Sequence, residues 1–217
     1  MSKKIVEPKE NATNRLEAVS DGVFAVALTL LVLDIHVPET DPTKLLDALI
    51  RLLPHILTFI LSFLIVTFYW TAHHVIFNSI HRSDRYLLWL NAFHLLFVVF
   101  LPFSTAMLAR FHDAPLAVDI YGFNIILCSL SSIAFWLYAA RNSLTTGDLS
   151  KSEIAMVALR LSVNPIVCGL ALGIAFLNTT AAILLYLATP VWYVLTGPNA
   201  AAGDSGTWQL PRPWRRR

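Results

Sequence analysis

The chain has 217 residues, of which 56% are hydrophobic and only 14% charged. Soluble domains carry about 25% charged residues, so a water-soluble surface is excluded and a membrane protein is indicated. A formal net charge of +2 is too small to argue for nucleic acid, and two cysteines, Cys128 and Cys168, form neither a disulfide framework nor a metal-binding pair.

The first fifteen residues (MSKKIVEPKENATNR) are polar, hold no apolar run of signal length, and read as a cytoplasmic segment. Six spans follow in residues 16–196. Span 1 is expected at Leu16–Val37 and is ended by Pro38 and Pro42. Span 2 covers Leu45–Phe77, span 3 Tyr86–Leu108, span 4 Leu116–Ala139, span 5 Glu153–Leu177 and span 6, the shortest, Ala181–Thr196. The runs do not alternate in polarity as barrel strands do, so the fold class is an all-α polytopic bundle. Pro54, Pro102, Pro165 and Pro190 fall inside the spans, which a packed membrane bundle tolerates. Ser83-Asp84, His112 to Pro115, Asn142 to Ser152 and Asn178-Thr179-Thr180 punctuate them. Residues 197–217 form a Pro/Arg/Trp tail, read as disordered or as a headgroup-level anchor.

With this topology thirteen Lys and Arg residues fall on one side and only Lys44, Arg51 and Arg110 on the other. The excess places both termini in the cytoplasm.

Span 1, "AVSDGVFAVALTLLVLDIHVP", carries carboxylates where a membrane helix rarely has them. At about 100° per residue, Val19, Gly22, Val26, Leu30, Leu33 and Val37 share one stripe, with Thr29 beside it. Ser20 and Asp21 point elsewhere. Their partners are expected at the same depth: Trp70, His73 and His74 of span 2, and Asn91 of span 3. These groups form either a buckle joining three helices or a proton relay. Asp34, Glu39 and Asp41 cluster at the opposite end of span 1, as an acidic mouth if several copies meet or as a solvated loop if they do not. Ser129, Ser131 and Ser132 of span 4 read as helix-packing residues. The seven histidines show no HExxH or paired arrangement suited to a metal or haem, and no catalytic motif is present. An enzyme is not expected.

"RLEAVSDGVFAVALTLLVLDI" resembles the span 1 signature of the transmembrane protein 175 family of potassium channels. Arg15, Ser20 and Asp21 match its motif, with Val19 in place of a phenylalanine. Trp70 and His73 (W-x-x-H), "LNAFHLLFVVFLPFSTAML" and "YGFNIIL" extend the likeness. The resemblance implies a six-helix subunit of the prokaryotic plasma membrane, with one repeat per chain and hence a homotetramer in the lipid bilayer. It implies no cofactor. Potassium and other monovalent cations would pass between four copies of span 1. By position it assigns Val26, with Leu30 and Leu33 on the same face, to a pore constriction and Thr29 to selectivity, and it places Arg15, Ser20 and Asp21 in a structural network with Trp70 and His73; the reading of the residues adds Asn91 to that network and Asp34 to the pore mouth. The alternative from another class is a proton-coupled secondary transporter using Asp21, His73 and His74. No internal repeat or central helix break supports it.

Overall fold

A computed structural model describes residues 8–145 and 149–196. Six α-helices run in chain order: α1 Pro8–Leu30, α2 Leu45–Phe77, α3 Arg85–Arg110, α4 Pro115–Arg141, α5 Lys151–Ala175 and α6 Thr179–Thr196. Five crossing segments are long and apolar enough for a membrane, and α6 holds a shorter apolar stretch, Thr179–Tyr193. The 197–217 tail lies outside the described residues.

Three boundaries depart from the sequence reading. The first helix starts at Pro8, so half of the polar leading segment is helical. Its α-helical part stops at Leu30 and continues as a 3₁₀ turn, Leu31–Asp34. Asn178, expected in a turn with Thr179 and Thr180, instead caps α6: its side chain accepts from the Ala181 amide at 2.9 Å. The caps of α3 and α5 are read from their local sequence. Asp84 accepts from the Leu87 amide at 2.8 Å. Ser150 and Glu153 close a capping box, which satisfies orphan donors of the first turn.

The four internal prolines lie within continuous helices. Helix α4 is the centre of the subunit and touches α2, α3, α5 and α6, whereas α1 lies against α2 and α3 on one flank. The main core is built from Phe24, Ala27 and Leu31 of α1 and its 3₁₀ turn, with Ile65, Val66 and Tyr69 of α2, Leu101 and Leu108 of α3 and Tyr121 and Ile125 of α4. Both cysteines are buried there and free. A second cluster, including Phe77, Leu87, Phe135 and Trp136, seals the end where α2 turns into α3.

Two features hold the bundle to close tolerances. At Gly122 a Cβ would collide with the Tyr186 hydroxyl, so glycine is what lets α4 and α6 approach. Buried hydroxyls also bridge helices. Ser62 lies 2.9 Å from the Tyr121 hydroxyl and accepts from Thr105 at 2.8 Å. Asn164 donates to the Tyr69 hydroxyl at 2.8 Å. Ser129 lies 2.8 Å from that same Tyr69 hydroxyl, so it works as interhelical glue.

Candidate pore helix and its buried clasp

Helix α1 has two faces of opposite character. Ser20, Phe24, Ala27 and Leu31 recur at i, i+4, i+7 and i+11 and are all buried. That spacing is the core stripe of a packed helix. The other side carries Val19, Gly22, Val26, Thr29, Leu30 and Leu33, all exposed in the subunit. Val26 is 56% exposed and Leu33 65%. A Cβ added at Gly22 would meet nothing within 4 Å.

The 3₁₀ turn changes the geometry of this exposed face. Side chains three apart eclipse in a 3₁₀ helix, instead of lying about 60° apart as in an α-helix. Leu33 is therefore brought beneath Leu30. The Thr29 hydroxyl donates to the Val26 carbonyl at 2.9 Å. Its proton is thus turned back into the helix, and its oxygen lone pairs face outward.

The buried face ends in a clasp. Asn91 of α3 donates from Nδ2 to Ser20 Oγ at 2.9 Å, and Ser20 in turn donates to the Leu16 carbonyl at 2.9 Å. The other amide atom, Asn91 Oδ1, lies 2.8 Å from His73 Nε2 of α2. Because Oδ1 must accept, His73 carries its proton on Nε2. One amide thereby joins three helices. Phe24 packs against the His73 ring at 5.3 Å between centroids and against His94 at 6.0 Å. His94 extends the cluster: its ring stacks on His73 at 5.8 Å, and its Nδ1 lies 2.9 Å from Ser131 Oγ.

One turn outward, α1 and α2 meet in antiparallel register through two more contacts. Trp70 Nε1 donates to Asp21 Oδ1 at 3.0 Å. His74 Nδ1 lies 3.3 Å from Glu17 Oε1. Arg15 is exposed and makes no hydrogen bond or ion pair among the described residues. Of the six residues expected to form a network, Ser20, Asn91 and His73 thus form one cluster, Asp21 and Trp70 a second pair, and Arg15 stands apart. Asp21, His73 and His74 each have a different partner: the Trp70 indole, the Asn91 amide and the Glu17 carboxylate.

Two participants were not placed here from sequence. From sequence, His94 is only one of seven histidines without a metal or haem arrangement, yet it lies one turn from Asn91, and that i+3 spacing is the available signal. Glu17 is four residues before Asp21, on the same side of α1, which would have marked it as a second contact to α2.

The acidic end is less uniform than expected. Asp41 caps the short helix Pro42–Lys44: it accepts from the Thr43 hydroxyl at 2.7 Å and the Thr43 amide at 2.9 Å. Those bonds hold its carboxyl below the usual carboxylate range. Asp34 is half-buried at the end of the 3₁₀ turn, and Glu39 is exposed. No group of three or more metal-ligating side chains occurs among the described residues.

Comparison with known proteins matches this architecture. The sequence model described as endosomal/lysosomal potassium channel TMEM175 matches residues 15–102, the stretch holding α2 and most of α1 and α3. A potassium channel of Streptomyces collinus is 34% identical over 178 residues, covering 77% of this chain and 84% of that protein. The chain belongs to the TMEM175 channel family. The crystal structure of a lysosomal potassium-selective channel TMEM175 homolog from Chamaesiphon minutus superposes with a TM-score of 0.77 at 29% identity, over 85% of this chain and 97% of that one. The human endosomal/lysosomal proton channel TMEM175 is 34% identical over 138 residues, which span 27% of its length. As a member of a channel family the chain is not an enzyme.

Proposed function

We propose that this chain is a potassium-permeable channel in which four copies surround one pathway, with the exposed face of α1 turned to the common axis. One observation carries the reading: the uncovered face of α1 differs from that of its neighbour α3. The exposed side of α3 carries Trp89, Phe93, Phe100 and Phe103, bulky rings suited to lipid. The exposed side of α1 carries a glycine, a threonine and aliphatic side chains, with no ring between Val19 and Leu33. Small side chains let helices approach around an axis, and a lone hydroxyl row among aliphatics gives a dry pathway one set of oxygens.

Rings of Val26, Leu30 and Leu33 form the constriction. A narrow apolar neck empties of water, so ions face a steep barrier until it widens. The 3₁₀ alignment of Leu33 beneath Leu30 lengthens this neck on one line. Thr29 Oγ1 lies between Val26 and Leu30 with its lone pairs outward, where it replaces part of a cation's hydration shell. Potassium sheds water more readily than sodium, so partial replacement favours it. Asp34 concentrates cations at the mouth. The clasp of Ser20, Asn91 and His73, with Asp21 and Trp70, fixes the back of α1 so that its front keeps its rotation; Arg15 stands at the start of the same helix. With α6 as a sixth crossing both termini lie on one side, which the basic-residue asymmetry supports as the cytoplasm, and the membrane is a prokaryotic plasma membrane.

Potassium flux into liposomes tests the proposal. Val26→Asn wets the neck and raises basal flux, about tenfold for each ~1.4 kcal/mol taken off the barrier. Thr29→Ala lowers the preference for potassium over sodium. A purified protein that is monomeric and passes no potassium overturns the reading, as does a Val26→Asn variant with unchanged flux.

A further inference from the structure

At the end of the bundle where α2 turns into α3, two loops are fastened together. The backbone of the α2–α3 connection bridges that of the α4–α5 connection at Ile80 and Thr145. The His81 and Arg82 amides both donate to the Leu144 carbonyl, at 3.0 and 3.3 Å. Asp84 accepts from the Tyr138 hydroxyl of α4 at 2.7 Å, and the Tyr86 and Tyr138 rings lie 6.2 Å apart between centroids. These contacts gather three arginines round one junction: Arg82 beside Leu144, Arg85 between Asp84 and Tyr86, and Arg141 one turn beyond Tyr138 at the end of α4.

All three arginines are exposed, and none makes an ion pair among the described residues. The carboxylate at the centre does not neutralise them: one Asp84 oxygen accepts from the Leu87 amide and the other from Tyr138, so both are committed. The junction thus sets three guanidiniums against one engaged carboxylate, with their N–H donors open to a ligand. The side of α3 beneath it is apolar and aromatic. Tyr86, Trp89 and Phe93 recur at i, i+3 and i+7, and each is more than half exposed. Tyr and Trp settle at the headgroup level of a bilayer, and Trp89 is four residues, about 6 Å along the axis, from Arg85. The arginines therefore stand at the depth of lipid phosphates, above a ring-lined wall that runs into the hydrocarbon.

We infer that this junction is a binding site for an anionic phospholipid, with its phosphate held by Arg82, Arg85 and Arg141 and an acyl chain laid along Tyr86, Trp89 and Phe93. Guanidinium meets phosphate through paired, charge-assisted N–H bonds. A zwitterionic lipid brings its own cation to the same place and gains less. The site is separate from the α1 face and goes beyond the channel reading, which its failure would leave untouched.

Tryptophan quenching by brominated lipid tests it on the full chain in phosphatidylcholine bilayers. Brominated phosphatidylglycerol or, in parallel, brominated phosphatidylcholine replaces increasing fractions of the lipid. The signal lost in Trp89→Phe separates Trp89 from the other five tryptophans. Half-quenching of Trp89 is expected at a mole fraction of phosphatidylglycerol about tenfold or more below that of phosphatidylcholine. Arg82→Gln, Arg85→Gln and Arg141→Gln should each lower this preference about fivefold, and the three together should abolish it. Lys151→Gln, at the same end of the bundle but outside the junction, should leave it unchanged. Equal quenching of Trp89 by the two lipids overturns the proposal, including the case of a second copy covering the surface, and that comparison needs no arginine variant. So does a preference that survives the triple substitution, or a loss with Lys151→Gln as large as with any of the three arginines, which would mean diffuse surface charge only. Full reversal by millimolar inorganic phosphate at constant ionic strength would assign the arginines to a soluble phosphate and overturns it too.

Discussion

The two faces of α1 are made from the same kinds of residue and do opposite things. Its inner face places Phe24 and Ala27 in the core and ends in a serine whose hydroxyl is fully buried. Its outer face leaves Val26, Leu30 and Leu33 largely uncovered by the rest of the subunit. In water such an outer stripe would be driven inward. In a membrane there is no such drive between helices, and packing and hydrogen bonds choose the contacts. The inner face won because it holds the groups with specific partners: Ser20 for Asn91, and Phe24 for the two stacked imidazoles. An apolar side chain can face lipid, a partner copy or an ion path equally well; a buried hydroxyl needs its acceptor and donor.

The largest expected effect breaks this contrast from the inside. Phe24→Ala removes a fully buried ring from between His73, His94 and the core, and should cost about 3–5 kcal/mol. Val26→Ala, two residues on, should change unfolding by under about 0.5 kcal/mol. Denaturant unfolding in detergent compares the pair, and equal losses would mean that both faces are packed within the subunit. Asn91→Leu comes next. It keeps the volume of the side chain and strips Ser20 and His73 of their shared partner, at about 1–3 kcal/mol for each group left unpaired. If the same assay finds the variant as stable as the parent, the clasp is not what holds α1. The smallest effect belongs to Gly22→Ala. With open space around the position, the substitution should stabilise the isolated subunit by about 0.5–1 kcal/mol through helix propensity. Stability gained while the oligomer is lost would locate the close approach of neighbouring α1 helices at Gly22.

Much of this arrangement is legible in the sequence. Apolar runs bounded by proline and capping residues give the last five helices to within a few residues, whereas α1 begins at Pro8, eight residues before the expected start. The depth of Trp70, His73 and Asn91 follows from which ends of α2 and α3 share a side of the membrane, and pairs them correctly with the start of α1. The helical period puts Val26, Leu30 and Leu33 on one stripe. It fails at Leu31–Asp34, because a shift from i→i+4 to i→i+3 bonding in an all-apolar run leaves no mark in residue type. It also fails to separate the acidic residues: Asp41 looks like Asp34 until the Thr43 bonds show that it is a cap. Arg15 shows what spacing does settle: six residues of helix separate it from Asp21 by more than one turn, and Asp21 takes the Trp70 indole.

The sequence by itself determined that the chain is all-α with several helices apolar enough to cross a membrane, and which residues of the first helix share a face. Those properties depend only on local composition and on the 100° helical step. Only the tertiary structure decided which face of α1 is buried, that one amide at Asn91 joins three helices, and which nitrogen of His73 bears the proton. Each of these depends on which helix comes to lie beside which. In a bundle whose outer surface is apolar all round, the hydrophobic pattern does not choose neighbours; the few buried polar groups do, and their pairing appears only when the helices are in place.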